Sequence, residues 1–286
     1  MKKHFLMAAC LLASTFSFAA KVDTLQIASA AMNKTYKAAV VTPNSYAKGK
    51  SAYQVLYLLH GAYGHFNDWL KNTSAKSTVK NLSDQYNVII VMPEGETFGF
   101  YINSPVNKEN QFETYIIDEV IPFIDRTYRT VKDKKGRAIT GLSMGGHGAL
   151  YLSARHPELF AAAGSMSGAV DLGALWDPNS ADRKKMMIPA FGTGDVPRET
   201  YETYAVMSLI SKMKSNKLPL FIECGVDDFL IDQNRELHRR LVYEKIPHNY
   251  TERPGEHTWT YWENALPYHL LFFSKIFEGG GGVVKP

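Results

Sequence analysis

The sequence predicts one α/β domain with a mostly parallel central sheet and helices on both faces. Three observations lead there. Short, continuous apolar runs alternate with segments of helical periodicity along the 286 residues, the pattern of strands covered on both sides and joined by crossover helices. Several of these runs end in glycine-rich or acidic turns, as strands of an open sheet do at the edge where ligands bind. Finally, Gly141-Leu142-Ser143-Met144-Gly145 sits between one such run and a helical pattern, the strand, turn and helix context of a nucleophile elbow.

The chain opens on Met1-Lys2-Lys3-His4, and an apolar run follows from Phe5 to Phe18. A charged start, a short hydrophobic middle and the small residues Ser17, Ala19 and Ala20 mark a secretory signal peptide over residues 1–20, so the remainder is expected to be secreted or periplasmic. The run is shorter than a membrane span requires. Cys10 follows Met7-Ala8-Ala9 in a faint lipoprotein pattern, but apolar sequence continues well past it and lipidation is not expected. Loss of the leader removes one of the two cysteines and leaves Cys224, set in an apolar run, with no partner in its own chain. Such a thiol is inert packing, and the fold must then rest on a hydrophobic core, which 45% hydrophobic residues can build. Of the formal charge of +4, two units are Lys2 and Lys3, which leaves about +2 for the mature chain. With no long basic run, a nucleic-acid partner is not expected. Residues 279–286, opening on four glycines, read as a flexible tail, and residues 21–278 as a single catalytic domain.

Within that domain, residues 23–31 and 35–42 read as an opening strand pair, and residues 53–59 as a central strand. Residues 87–92 form a further continuous apolar run that Pro93 ends, and residues 137–140 a short buried strand before the elbow. Residues 218–224 and 249–253 supply the last two strands. Helical patterns lie between them at residues 75–85, 113–128, 147–155, 197–213, 233–243 and 258–277, and this alternation implies right-handed crossovers. Residues 170–217 are the least regular stretch. They read equally as a surface connection or as a cap facing a substrate.

At the elbow a strand must reverse into a helix sharply enough to strain its central residue and crowd its neighbours, which accounts for glycine at 141, 145 and 146. Ser143 is thereby the candidate nucleophile, and Met144 offers its backbone amide, at the helix start, to a developing oxyanion. His60-Gly61-Ala62-Tyr63-Gly64 closes the 53–59 strand and can present a second amide, that of Ala62. His60 itself, with no partner at metal-ligand spacing, reads as support for this turn. An acid and a base should follow in the loops after later strands. The 218–224 strand leads into Gly225-Val226-Asp227-Asp228, and the 249–253 strand into Pro254-Gly255-Glu256-His257. His257 fits the last strand-to-helix loop. By contrast His4 lies in the leader, His147, His156, His238 and His269 lie in or at the end of helical patterns, and His248 precedes its strand. Asp228 is the preferred carboxylate and adjacent Asp227 the alternative. Either would accept a hydrogen bond from one ring nitrogen of His257, fix its tautomer and stabilise the imidazolium.

A calcium site on the aspartate pair lacks further oxygen ligands. No HExxH pair or Gly-Lys-Ser/Thr phosphate loop occurs, and no metal or cofactor is expected. Aromatic residues near these loops are expected to line a crevice: Phe100 and Tyr101 after the 87–92 strand, and Trp259 beside His257. Tyr101 and Trp259 are the substrate-binding candidates, while Trp262 is equally suited to the core.

Four blocks extend the pattern beyond the pentapeptide. They are Leu58-Leu59-His60-Gly61-Ala62-Tyr63-Gly64-His65-Phe66-Asn67-Asp68-Trp69, Gly141-Leu142-Ser143-Met144-Gly145-Gly146, Cys224-Gly225-Val226-Asp227-Asp228-Phe229-Leu230 and Gly255-Glu256-His257-Thr258-Trp259-Thr260-Tyr261-Trp262. In this order they resemble the esterase D-like family of α/β-hydrolases, which includes tributyrin esterases, feruloyl and acetyl xylan esterases, S-formylglutathione hydrolases and mycolyl transferases. The resemblance covers residues 53–277. It implies the α/β-hydrolase fold, serine esterase chemistry without a cofactor, and a triad of Ser143, Asp228 and His257. It favours Asp228 over Asp227 because the family's acid usually stands three residues after the glycine that Gly225 matches. The Trp259 and Trp262 pattern is most similar to tributyrin and plant-cell-wall esterases. The implied substrate is a small-molecule or carbohydrate ester, with acyl transfer to a sugar hydroxyl and non-catalytic carbohydrate binding as alternatives. Residues 170–217 match no pattern of the family.

Overall fold

In the computed structural model, residues 20–175, 177, 179–193 and 196–279 are described. The expected leader before Ala20 and the expected tail beyond Gly279 lie outside them. Eight strands form one sheet: β1 (Lys21–Ser29), β2 (Lys34–Thr42), β3 (Val55–Leu59), β4 (Ile89–Pro93), β5 (Arg137–Gly141), β6 (Ala162–Met166), β7 (Leu220–Gly225) and β8 (Asn249–Arg253). Their order is β1-β2-β4-β3-β5-β6-β7-β8. β2 pairs antiparallel with both β1 and β4, and β3 through β8 pair in parallel with one another. This is the mostly parallel α/β-hydrolase sheet.

The central strands are continuous apolar runs because both faces are covered. Along β3, Val55, Tyr57 and Leu59 enter one core layer while Leu56 and Leu58 enter the other, as the two-residue period of a strand requires. Short α1 (Asn44–Lys48) and α2 (Asp68–Lys71) precede α3 (Thr78–Tyr86), whose Val79 and Leu82 pack into the second layer. The helix expected at residues 113–128 starts as the short α4 (Phe112–Thr114), widens into a π-helical stretch over Tyr115–Val120 and ends as α5 (Ile121–Thr127). Pro122 near the start of α5 has no N–H to return to the preceding turn, which fits the change of winding there. α6 (Met144–Arg155) follows the elbow and is buried almost throughout.

β6 was not expected, and its Ala-Ala-Gly-Ser-Met sequence explains why. A Cβ on Gly164 would lie 2.4 Å from His269 Nδ1 and 2.9 Å from Thr140 Oγ1, so the close approach of the last helix selects small residues over β-branched ones. The irregular 170–217 stretch holds α7 (Leu172–Leu175), α8 (Ala181–Phe191), α9 (Arg198–Thr203) and α10 (Ile210–Asn216), with a 3₁₀ turn at Val206–Leu209. The continuous helix expected at residues 197–213 is thus broken. α11 (Ile231–Tyr243) and α12 (Trp259–Phe277) complete the chain, α12 starting on Thr258, whose hydroxyl accepts from Tyr261 N at 3.4 Å. No helix among the described residues is long and apolar enough to cross a membrane.

The chain runs from β3 outward to β4 and then returns to place β5 on the other side of β3. That reversal opens a crevice at the carboxyl ends of β3 and β5, where an open α/β sheet binds its ligand.

Candidate active site

Ser143 sits between β5 and α6 with φ 54° and ψ −117°, a strained conformation for a residue with a side chain. Its surroundings hold it there. Ser143 N donates to Met166 O at 2.9 Å, and Ser143 O accepts from His147 N at 3.0 Å and Ala169 N at 3.2 Å. The adjacent glycines are needed for closeness, since a Cβ on Gly145 would lie 2.6 Å from His60 O and one on Gly146 2.6 Å from Ser165 Oγ. The turn consequently lifts the Ser143 hydroxyl into the crevice.

His257, in the loop from β8 to α12, brings Nε2 to 2.9 Å from Ser143 Oγ. Its Nδ1 lies 2.8 Å from Asp228 Oδ2 and 3.0 Å from Oδ1. The acid and base loops are clasped together, because Asp227 N donates to Gly255 O at 3.0 Å and a Cβ on Gly225 would meet that same oxygen at 2.2 Å. Asp228 is only 2% exposed, whereas Asp227 faces solvent. Burial alone would raise the Asp228 pKa, but the hydrogen bond and charge of His257, with the Leu230 amide 2.8 Å from Oδ1, outweigh it and hold the pKa below the usual carboxylate value. Asp228 is thus an ionised acceptor that keeps the Nδ1 proton of His257 in place and leaves Nε2 free to accept from Ser143.

Gly61, Ala62, Ser143 and Met144 line the same crevice, which has a volume of about 420 Å³. Among the described residues neither the Ala62 nor the Met144 amide has a hydrogen-bond acceptor within the fold, so both are free for an anion. One wall is aromatic. Trp259 packs edge-on against Trp69 at 5.3 Å and Trp262 at 5.5 Å, and Trp262 meets the His257 ring at 4.8 Å and 89°. Phe100, Ala169, Leu175 and Met186 also line the crevice, so the 170–217 stretch does face it. Phe229, 68% exposed, tilts against His257 at 4.5 Å; sequence reasoning missed it, although its place beside Asp228 was the available signal.

Tyr101 requires a correction. It is fully buried, absent from the crevice and donates its hydroxyl to His60 O at 3.1 Å. Consecutive positive φ values at Phe100 and Tyr101, 51° and 56°, turn its ring inward, where a Cβ on Gly95 or on Gly148 would meet it at 2.4 Å. Trp259 and Phe100 do border the crevice as expected. Among the described residues no group of three or more His, Cys, Asp or Glu is arranged to hold a metal ion.

Residues 29–273 match the family described as "Putative esterase". The chain belongs to the esterase family. As a member it is a carboxylic ester hydrolase, in keeping with a relative named as an acetyl esterase. This esterase is 30% identical over 236 residues to an acetyl esterase of Caldicellulosiruptor saccharolyticus, an alignment covering 79% of this chain and 85% of that one. It is 31% identical over 222 residues to a diacylglycerol acyltransferase/mycolyltransferase Ag85A of Mycobacterium gordonae, covering 71% of this chain and 60% of that protein. Of other curated esterase relatives this chain spans only 51% of the length. Among solved structures, a ferulic acid esterase superposes with a TM-score of 0.76 at 28% identity, covering 91% of this chain and all of that one.

Proposed function

We propose that this esterase is an exported serine carboxylesterase that cleaves short-chain acyl esters, or acetyl and feruloyl esters of carbohydrates, through an acyl-enzyme on Ser143. The observation that carries the reading is the unbroken series of contacts from Asp228 through His257 to Ser143, 2.8 Å and 2.9 Å long. His257 Nε2 takes the Ser143 proton as Oγ attacks the ester carbonyl, and Asp228 stabilises the resulting imidazolium. The carbonyl oxygen, now an anion, receives hydrogen bonds from the Ala62 and Met144 amides. As the tetrahedral intermediate collapses, His257 returns the proton to the departing alcohol. Water then repeats the sequence on the acyl-enzyme and releases the acid.

A crevice of about 420 Å³ with an aromatic wall suits an acetyl to butyryl or an aryl acyl group. The acetyl esterase relative and the ferulic acid esterase structure point to the same substrate class. Export rests on residues 1–20, with residues 21–278 as the catalytic domain and 279–286 as the tail. Assay of the purified protein on acetylated and feruloylated oligosaccharides tests the reading; release of neither acid would refute it.

Acyl transfer is the second reading, favoured by the mycolyltransferase relative. There a sugar hydroxyl replaces water in the second half of the reaction. Product analysis with and without added sugar separates the two.

A further inference from the structure

We propose that His60 is a positioning residue for the oxyanion-binding amide of Ala62, acting by anchoring the far end of the same peptide unit. The inference rests on the reading of Ala62 as an oxyanion donor. The Gly61 carbonyl and the Ala62 N–H belong to one planar, trans peptide and therefore point in opposite directions. Whatever fixes the carbonyl aims the N–H. His60 Nδ1 lies 2.8 Å from Gly61 O, and Gly64 N donates to the same oxygen at 3.2 Å. With its oxygen held on the protein side, the unit turns the Ala62 amide toward the crevice that Ala62 lines.

This anchor works only if Nδ1 carries a proton, and Gly61 O, which can only accept and lies 2.8 Å away, favours the forms of the ring that have one there. Nε2 lies 2.9 Å from Gly95 N and 3.2 Å from Glu94 Oε1. A neutral ring that accepts from Gly95 must keep its one proton on Nδ1, and an imidazolium facing Glu94 has a proton there as well. Both forms donate to Gly61 O. The ring is itself confined, being 1% exposed, with its backbone carbonyl held by the Tyr101 hydroxyl at 3.1 Å. Glu94 ties this support to the rest of the loop by accepting from Phe66 N at 3.3 Å and Glu96 N at 3.0 Å.

The ends of two neighbouring strands thus fix one amide. The serine, base and acid take no part in it. Loss of the anchor should weaken stabilisation of the oxyanion specifically, and a thiono ester reports on that, since sulfur in place of the carbonyl oxygen is a poor acceptor for the two amides.

The experiment compares kcat/KM for an aryl ester and its thiono counterpart in wild type, His60→Asn and His60→Gln. Asn places an amide nitrogen as many bonds from the backbone as Nδ1, and Gln as many as Nε2. The preference for the oxygen ester should fall about tenfold or more in His60→Gln, through kcat with KM little changed, and should be largely kept in His60→Asn. Both substrates are measured on one preparation, so a partly unfolded sample leaves the ratio intact. An unchanged ratio in His60→Gln, or equal loss in both variants, would overturn the role of His60. A wild type that fails to discriminate oxygen from sulfur would instead sink the oxyanion reading of Ala62 and Met144.

Discussion

Asp227 and Asp228 are adjacent in sequence and opposite in environment, since one faces solvent and the other is buried against His257. Asp228→Asn should lower kcat by about two to four orders of magnitude, because an amide there favours the wrong tautomer of His257, while Asp227→Asn should change it less than threefold or so. Steady-state kinetics on one soluble ester decide; similar losses in both would contradict the assignment. The choice was half legible in the sequence, because the loop identified the pair but the direction of its turn depends on contacts with Gly255. Tyr101 failed for the same reason. Its position after a strand pointed to the crevice, and only the backbone angles turn it inward. Glu94 was not singled out at all, yet its pKa is held at about 2: burial raises it, and the hydrogen bond and charge of His60, with the Phe66 amide, lower it further. A carboxylate held below its unfolded value of about 4.3 stabilises the fold above that pH and loses the contribution as pH falls toward 2. Thermal melts of Glu94→Gln should therefore start lower at pH 7 and fall less steeply than wild type between pH 6 and 3. Parallel curves would argue against it.

At the scale of elements, the elbow was the most legible feature because its glycines answer to close contacts that a side chain would crowd. Gly145 approaches both Leu59 O and His60 O, and so joins the start of α6 to the end of β3. Gly145→Ala should therefore cost on the order of 1–3 kcal/mol of stability and most of the activity, read by denaturant melts and ester turnover. An Ala variant with wild-type stability and rate would mean that the two elements can separate freely. β6 stayed hidden because close packing against α12 selects Ala and Gly, which carry no strand signal. The 170–217 stretch was hard to read because its short helices gain their stability from tertiary contacts. Met187, Ala190 and Phe191 of α8 and Val206 and Leu209 of the 3₁₀ turn are all buried.

The whole molecule brings three loops from the ends of β5, β7 and β8 to one crevice, with a fourth from β3 completing it. That the site loops share one edge was legible, since parallel strands connected in one hand deliver their carboxyl ends to one edge, whereas the order of the strands was not. Acyl preference was less legible, because Leu175 and Met186, which also line the crevice, come from the 170–217 stretch that matches no family pattern. A crevice of about 420 Å³ should favour acetyl to butyryl esters over chains of about eight carbons or more by at least about tenfold in kcat/KM. An acyl-length series of aryl esters measures this, and an optimum at long chains with interfacial activation would oppose it. The central claim is that one hydroxyl, at the strained turn after β5, carries the acyl group. Its most direct test is the turnover of purified, folded Ser143→Ala. Loss of that hydroxyl should lower kcat by a factor on the order of 10⁴ or more with an unchanged melt, and near-wild-type turnover would contradict its role.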